Sequence, residues 1–168
     1  MSEIVHRKVI ELTPSQKIYF ASDFHLGAPD LATSHARERR LVAWLDSIKH
    51  DARLICLVGD IFDFWYEHRR VVPRGFVRLL GKLAALTDAG VEIIAFPGNH
   101  DMWMRDYFET ELNIKTYREP LELVVGPPTP ERGEKFAPPP GVGGRFFITH
   151  GDGRGPGDYA YKVLKRVF

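Results

Sequence analysis

The sequence of 168 residues contains a single cysteine, Cys56, and no apolar run of the length that crosses a bilayer. One cysteine cannot form an internal disulfide, and a membrane-spanning helix needs about 20 consecutive apolar residues. The first seven residues include Glu3 and Arg7 and lack the apolar core of a secretory signal. These absences argue against a disulfide-stapled secreted scaffold and predict a cytoplasmic protein.

An excess of one charge is also lacking, because 23 Lys and Arg face 22 Asp and Glu, for a formal net charge of +1. Basic residues occur without a stacking platform or a known reader motif, so we expect no nucleic-acid partner. Hydrophobic residues make up 44% of the chain and charged residues 27%, as in ordinary globular domains. At about 150 residues per domain, the length predicts a single domain over residues 1–168.

Apolar runs and helical spacings alternate along the chain. Strands are predicted over residues 18–22, 54–58, 91–96, 121–125 and 145–149. One helix is predicted from an N-cap at Ser34 to Ile48, with an apolar face. A second helix is predicted from Phe76 to Leu86, and Gly90 ends it. Because the strands are apolar without clean alternation, we expect an α/β fold whose parallel sheet has helices on both faces.

Two segments are predicted to lie outside this sheet. Six prolines and several glycines fall within residues 126–144, which predicts a flexible loop. Residues 159–168 place Lys162, Lys165 and Arg166 between apolar positions. That pattern is typical of a basic amphipathic helix, which lies on an anionic membrane surface or packs on another protein segment.

Polar motifs follow four of the predicted strands at the point where each strand ends. Their side chains of ligand type are Asp23, His25, Asp60, Asp63, Asn99, His100, Asp101 and His150. Ligands of open α/β sheets bind beyond the carboxyl ends of the strands, so we expect one crevice. Oxygen and imidazole donors together suit Mn²⁺, Fe or Zn²⁺ better than Ca²⁺. Each motif alone has a structural interpretation as a cap, a turn or a surface histidine, but four in order predict a metal centre.

The four motifs resemble those of the calcineurin-like metallophosphoesterases. They are Asp-X-His from Asp23, Gly-Asp-X-X-Asp from Gly59, Gly-Asn-His-Asp from Gly98, and the later His150. The resemblance runs from about Ile18 to the C-terminus and implies an α/β/β/α sandwich. It also implies two divalent ions, with Mn²⁺ favoured and Fe or Zn²⁺ as alternatives.

The resemblance implies roles for individual residues. One ion would be bound by Asp23, His25 and Asp60, and the second by Asp60, Asn99 and His150. His100, and with it Asn99, would contact the substrate phosphate, and His100 would act as a general acid. Asp101 would accept the other ring N–H of His100. Asp63 would stand behind the ligands without binding an ion, and a turn cap is an equal alternative for it.

Longer stretches around the motifs resemble a branch of this family found in Bacteroidetes. That branch cleaves the diphosphate of UDP-2,3-diacylglucosamine to lipid X and UMP in lipid A synthesis. The likeness implies a cytoplasmic enzyme that contacts the inner-membrane surface. Other members, which act on nucleotides or phosphoproteins, share the motifs and remain a second interpretation. The oligomeric state is left open.

Two groups of side chains near the motifs are candidates for substrate contacts. A basic stretch could hold the diphosphate or form a solvated helix face; it consists of Arg69, Arg70, Arg74, Arg78 and Lys82. A group of apolar residues could line an acyl channel or pack in the core; it consists of Phe64, Trp65, Met102, Trp103 and Met104.

One part of the family pattern is missing from the sequence. The family ends its site with Gly-His-X-His, which the 168 residues do not contain. The resemblance therefore predicts a C-terminally truncated chain with an incomplete ligand set, slow or absent turnover and an open sheet edge. A non-catalytic scaffold of the same fold is a third interpretation, against which the retained ligand residues count.

Overall fold

Seven strands and three helices are present in the computed structural model, which describes residues 6–126 and 144–151. The strands are β1 (His6–Glu11), β2 (Lys17–Ala21), β3 (Ala52–Val58), β4 (Glu92–Phe96), β5 (Lys115–Thr116), β6 (Leu121–Gly126) and β7 (Gly144–Ile148). The helices are α1 (Leu31–Ile48), α2 (Val77–Asp88) and α3 (Tyr107–Leu112). The sequence patterns did not predict β1, α3 or β5.

The strands form two sheets. In the first, β2, β3, β4 and β5 lie in that order and all run parallel. In the second, β6 lies between β1, to which it is parallel, and β7, to which it is antiparallel. Because the first sheet is wholly parallel, the loops after its strands emerge at one edge, as the sequence analysis predicts.

The four-stranded sheet is covered by helices on one face and by the second sheet on the other. In β3, Ile55 and Leu57 belong to the core shared with the helices, whereas Leu54 and Cys56 belong to the core between the sheets. A strand buried on both faces needs apolar residues at every position, which explains the missing alternation. The expectation of helices on both faces is therefore wrong for the described residues, because a second sheet occupies one of those faces.

The predicted strands correspond to β2, β3, β4, β6 and β7, and the predicted helices to α1 and α2, so these predictions are confirmed. Gly90 follows α2 with a φ of 86°, as predicted for the residue that ends a helix. The prediction of Ser34 as an N-cap is wrong. The α1 helix begins earlier, because the Asp30 carboxylate accepts a hydrogen bond from the Thr33 backbone N–H at 2.9 Å.

Several predictions fall outside the described residues. The flexible loop lies almost wholly within residues 127–143, and the basic amphipathic helix lies within residues 152–168. Within the part that the structure describes, no helix is both long and apolar enough to cross a membrane.

One side of the sandwich, between the edge strands β2 and β7, leaves aromatic rings exposed. Phe20 pairs with Cys56 and Phe146 pairs with Leu123, so both rings face the space between the sheets. Phe20 is nevertheless 45% exposed and Phe146 46% exposed, with ring centroids 6.0 Å apart. The open sheet edge that the sequence predicts is therefore present in the described part of the chain.

Candidate metal centre

The loops after β2 and β3 run side by side at the carboxyl edge of the parallel sheet. The Asp23 N–H donates to the Gly59 carbonyl at 3.1 Å, and the His25 N–H donates to the Asp60 carbonyl at 3.0 Å. One residue further on, the Leu26 N–H donates to the Ile61 carbonyl at 3.1 Å. The two motif loops thus continue the strand pairing of the sheet, which fixes their side chains against each other.

Three of the predicted ligands have a backbone conformation that L-residues rarely adopt. The φ angles are 58° at Asp23, 43° at His25 and 52° at Asp60. A left-handed conformation costs about 1–2 kcal/mol for a residue with a Cβ atom. Such residues persist only where the surrounding structure fixes them, and they cluster at functional sites.

The Asp60 carboxylate lies at the centre of the site and is buried. Its Oδ2 atom lies 3.4 Å from Nε2 of His150 and 3.8 Å from Nε2 of His25. Its Oδ1 atom accepts a hydrogen bond from the backbone N–H of His100 at 3.0 Å. The carboxylate of Asp60 therefore lies beside residues of the other three motifs, namely His25, His100 and His150. Oδ1 of Asp23 lies 4.0 Å from Nε2 of His25.

Two groups of candidate ligand atoms share Asp60. One consists of Asp23, Asp60 and His150, the other of His25, Asp60 and His100, and the atoms in each lie within 4.8 Å of one another. Donors that bind one ion at about 2.0–2.2 Å lie about 3–4 Å apart, so most of the measured separations fit. Carboxylate and imidazole donors suit Mn²⁺, Fe or Zn²⁺. The residues therefore fit divalent ions, with Asp60 placed to serve two. The grouping differs from the one that the resemblance implies, because His150 lies with Asp23 and His100 lies with His25.

The hydrogen bond at Nδ1 of His150 fixes which of its ring nitrogens faces Asp60. Nδ1 lies 2.8 Å from the Val58 carbonyl oxygen. A carbonyl only accepts, so Nδ1 donates to it, and Nε2 is the ring nitrogen that faces Oδ2 of Asp60 at 3.4 Å. Histidines that bind metals in proteins are held in this way, with the other ring nitrogen donating to a carbonyl or carboxylate.

Two glycines allow the ligands to approach the backbone. A Cβ atom on Gly59 would lie 2.1 Å from Nδ1 of His150, and one on Gly98 would lie 2.2 Å from Oδ1 of Asp60. Neither separation is sterically allowed, so both positions require glycine. Asn99, the remaining predicted ligand, is half-buried directly after Gly98.

The contacts of Asp101 differ from the prediction. Its buried carboxylate accepts hydrogen bonds from the backbone N–H groups of Gly98 at 2.6 Å and Ile61 at 2.8 Å. Burial raises the pKa of the Asp101 carboxyl, and the backbone donors act in the opposite direction. Asp101 therefore ties the loop after β4 to the loop after β3 and does not orient the His100 ring.

Asp63 occupies the place that was predicted for Asp101. Nδ1 of His100 lies 3.0 Å from the Asp63 carbonyl oxygen and 3.4 Å from its Oδ1 atom. The same Oδ1 atom lies 3.6 Å from Nδ1 of His25. Asp63 thus stands behind two imidazole rings, as one of its two sequence interpretations predicts.

The apolar residues beside the motifs divide into core and surface. Trp65 and Met104 are fully buried, which matches core packing. Phe64 and Tyr66 are exposed, and their rings lie 5.8 and 6.3 Å from the ring of Trp103. We call Phe64, Tyr66 and Trp103 the aromatic surface; it follows directly on the loops that hold Asp63 and His100.

The basic stretch is also divided. Arg78 lies 3.7 Å from Glu38 of α1, and Lys82 lies 2.9 Å from Asp46, which matches a helix face with ion pairs. Arg69 and Arg70 instead line a cavity of about 470 Å³. Acidic residues line the same cavity, namely Glu67, Asp106 and Glu111.

Two residues of α1 to which the sequence analysis assigned no role at the site contact the loop after β2. Arg37 donates hydrogen bonds to backbone carbonyls of this loop, and the Ser34 hydroxyl accepts one from the Gly27 N–H at 2.8 Å. No motif marks them. The available signal is their spacing of three, which places both on one helix face after the Asp-X-His loop.

The fold and this donor set define a class of protein, and the family comparison agrees. The sequence profile of the calcineurin-like phosphoesterases matches residues 16–166. The chain belongs to the calcineurin-like phosphoesterase family, which the resemblance of the four motifs predicted.

Two curated relatives are each named UDP-2,3-diacylglucosamine hydrolase. The protein from Porphyromonas gingivalis is 57% identical over 152 residues, which cover 90% of this chain and 50% of the relative. The protein from Ralstonia nicotianae is 25% identical over 152 residues, which cover 90% of this chain and 49% of the relative. The chain thus spans about half the length of the curated relatives it matches.

Among solved structures, the nuclease MPE of Pseudomonas putida is similar at 22% sequence identity with a TM-score of 0.38. The match covers 71% of this chain and 52% of the nuclease.

Proposed function

We propose that the protein is a two-metal hydrolase that cleaves the diphosphate of UDP-2,3-diacylglucosamine to lipid X and UMP in lipid A synthesis. The observation that carries the chemistry is the buried Asp60 carboxylate shared by two groups of ligand atoms. The substrate rests on the 57% identity to the Porphyromonas gingivalis relative of that name.

The proposed ligands are Asp23, His25, Asp60, Asn99 and His150, holding two ions of Mn²⁺, with Fe or Zn²⁺ as alternatives. Bound there, such ions polarise a phosphoryl group and lower the pKa of a water molecule. The protein's own part is to hold its donors in place before substrate arrives. The glycines, the paired loops and the Nδ1 hydrogen bond of His150 all serve that purpose.

His100 is the proposed general acid and phosphate contact. Its Nδ1 proton is held by the Asp63 carbonyl, so proton exchange with substrate takes place at Nε2. Oδ1 of the Asp63 carboxylate lies 3.4 Å from the same Nδ1 and helps to orient the ring. As a general acid, the ring would pass a proton from Nε2 to the leaving oxygen of the diphosphate. Asp101 contributes by positioning the loop that carries His100.

The aromatic surface is the proposed contact for the acyl groups, through Trp103 in particular. Its exposed rings follow directly on Asp63 and His100, so a lipid-linked phosphate held at the metal centre lies close to them. Arg69 and Arg70 remain proposed contacts of the diphosphate, although acidic residues share their cavity. Contact with the inner-membrane surface is proposed for the same reason, since the substrate is a lipid.

Metal binding is tested with Asp60→Asn, which keeps the size of the side chain and removes its charge. We expect the wild-type chain to bind Mn²⁺ in isothermal titration and Asp60→Asn to lose at least one of two ions. The matched control is Asp88→Asn on the exposed end of α2. Unchanged metal content in Asp60→Asn would refute the shared-ligand assignment.

The substrate is tested by release of UMP from UDP-2,3-diacylglucosamine in the presence of Mn²⁺, with the Porphyromonas gingivalis relative as the positive control. Unacylated UDP-N-acetylglucosamine and bis(p-nitrophenyl) phosphate are the competing substrates. We expect cleavage of the acylated nucleotide to be the fastest. Faster cleavage of the water-soluble diester would assign the chain to the second interpretation, a general phosphodiesterase.

A further inference from the structure

We propose that Arg37 is a positioning residue that holds the loop after β2 so that Asp23 and His25 meet Asp60. The proposal rests on the metal centre proposed above. It concerns a residue on α1 that contacts the backbone of the ligand loop and not the ligand side chains themselves.

The guanidinium group of Arg37 contacts several backbone carbonyls of the same loop. Its Nη1 atom lies 2.8 Å from the carbonyl oxygen of Phe24, 2.8 Å from that of His25 and 3.3 Å from that of Ala28. Hydrogen bonds from a charged donor are stronger than neutral ones. One side chain therefore holds two consecutive carbonyls, those of Phe24 and His25, together with the carbonyl of Ala28 in the turn that follows.

The position of these bonds explains why they are needed. Asp23 and His25 have positive φ angles, which an isolated loop would relax. The N–H groups of Asp23 and His25 are held by the loop after β3, at 3.1 and 3.0 Å. Arg37 holds carbonyls on the other side of the same backbone. The loop is thus fixed from two sides, by the sheet and by the helix.

The α1 helix can hold the loop in place because the helix itself is packed against the core. Leu45 and Ile48 of α1 are buried against the parallel sheet. Ser34, one turn before Arg37, is buried and accepts the Gly27 N–H. The α1 helix is therefore a fixed support, and the hydrogen bonds of Arg37 fix the backbone of His25 relative to it.

The test compares Arg37→Met, which keeps the length and removes the donors, with Arg40→Met on the exposed face of the same helix. Mn²⁺ affinity of the metal-free full chain is measured by isothermal titration, and melting is followed by circular dichroism. Loss of residues behind metal ligands lowers affinity by about 10–100-fold, and we expect that range for Arg37→Met. Arg40→Met should match the wild type, and Arg37→Lys should recover part of the affinity.

The outcomes separate positioning from simple stability. A merely structural Arg37 would lower the melting temperature without changing Mn²⁺ affinity in the folded protein, and that result overturns the proposal. If Arg37→Met does not fold, the same titration on Arg37→Lys decides, and full wild-type affinity in that variant overturns the proposal, which expects only partial recovery. A wild-type chain that binds no Mn²⁺ overturns the metal centre, and the inference with it.

Amide hydrogen exchange supplies a second readout that needs no metal. We expect faster exchange at the N–H groups of Asp23, His25 and Leu26 in Arg37→Met, while the strands β3 and β4 exchange as in the wild type. Unchanged protection of these three amides would contradict the proposal even if metal affinity falls.

Discussion

At the scale of single residues, Asp60 combines two costs that the fold has to offset. Its carboxylate is buried, and its backbone is left-handed. A buried charge needs hydrogen bonds or charged partners. The His100 backbone N–H donates to Oδ1 and supplies part of that stabilisation. A cation bound between Asp60 and the rings of His25 and His150 would stabilise the carboxylate further, which is the physical reason to regard the site as a candidate metal centre.

Cys56 provides a prediction on the pH dependence of a single group. Burial, followed by the negative charge of Glu92, raises the pKa of the Cys56 thiol to about 12. The folded protein therefore retains the thiol proton at pH 8, and we expect almost no reaction with Ellman's reagent until the chain is denatured. Denatured protein should then release one equivalent of the thiol product.

The sign of the stability effect follows from the same shift. The unfolded chain loses the Cys56 proton near the ordinary thiol value of 9.0, and the folded chain only near 12. Stability from this group is therefore complete below pH 9 and declines as the pH rises between these two values. Rapid labelling of the native protein at pH 8 would show that the strand β3 opens locally.

The clustering of the candidate ligands could be predicted, because each follows an apolar strand at the same edge of a sheet. Their contacts could not. Asp63 and Asp101 are each the last residue of a motif, and sequence spacing alone does not show which carboxylate lies beside the His100 ring. The structure decides, because the Asp101 carboxylate is taken up by backbone N–H groups of Gly98 and Ile61.

At the scale of elements, α1 supports two other parts of the molecule within little more than one turn. Ser34 and Arg37 hold the loop after β2. Glu38 holds the start of α2, where its Oε1 atom accepts the N–H groups of Arg78 at 2.9 Å and Leu79 at 3.1 Å. The N-cap residue of α2 is Phe76, whose side chain makes no capping hydrogen bond. Glu38 therefore substitutes for a local N-cap.

We expect Glu38→Ala to destabilise the protein by about 1–3 kcal/mol, because it leaves buried donors at the start of α2 without an acceptor. Glu38→Gln keeps an acceptor oxygen and should cost less. Urea unfolding followed by circular dichroism measures both, with Arg39→Ala on the exposed face of α1 as the control. Equal stability of Glu38→Ala and the wild type would show that water replaces the carboxylate.

The element boundaries were predictable where a local signal exists, as at Gly90. The start of α1 was not, since Asp30 and Ser34 are both residues that favour helix N-caps. Asp30 is the N-cap because the Ser34 hydroxyl instead accepts a hydrogen bond from the Gly27 N–H. The strands β1 and β5 were not predicted, because four of the six residues of β1 are polar and β5 has only two residues.

At the scale of the whole molecule, the two faces of the parallel sheet are covered to different extents. The helical face is closed by three helices, whereas the space between the sheets opens at β2 and β7. The sequence predicted the open edge only through the family resemblance. The second sheet itself could not be predicted, because an apolar strand looks the same whether a helix or another strand covers it.

The exposed rings at this edge predict self-association. We expect the chain to form concentration-dependent oligomers, and Phe146→Lys to reduce them because it places a charge at an edge strand. Light scattering coupled to size-exclusion chromatography measures the effect. Val77→Lys, which alters an exposed apolar residue on α2 away from this edge, is the control. Identical behaviour of all three proteins would show that the edge does not drive association.

The crowding at Gly59 and Gly98 has a consequence for mutational tolerance. In most proteins the reactive side chains are the positions that accept the fewest replacements. Here two residues without any side chain are equally intolerant, because even a methyl group would displace a histidine or a carboxylate. A scan of every position would therefore find its sharpest losses beside the ligands as well as at them.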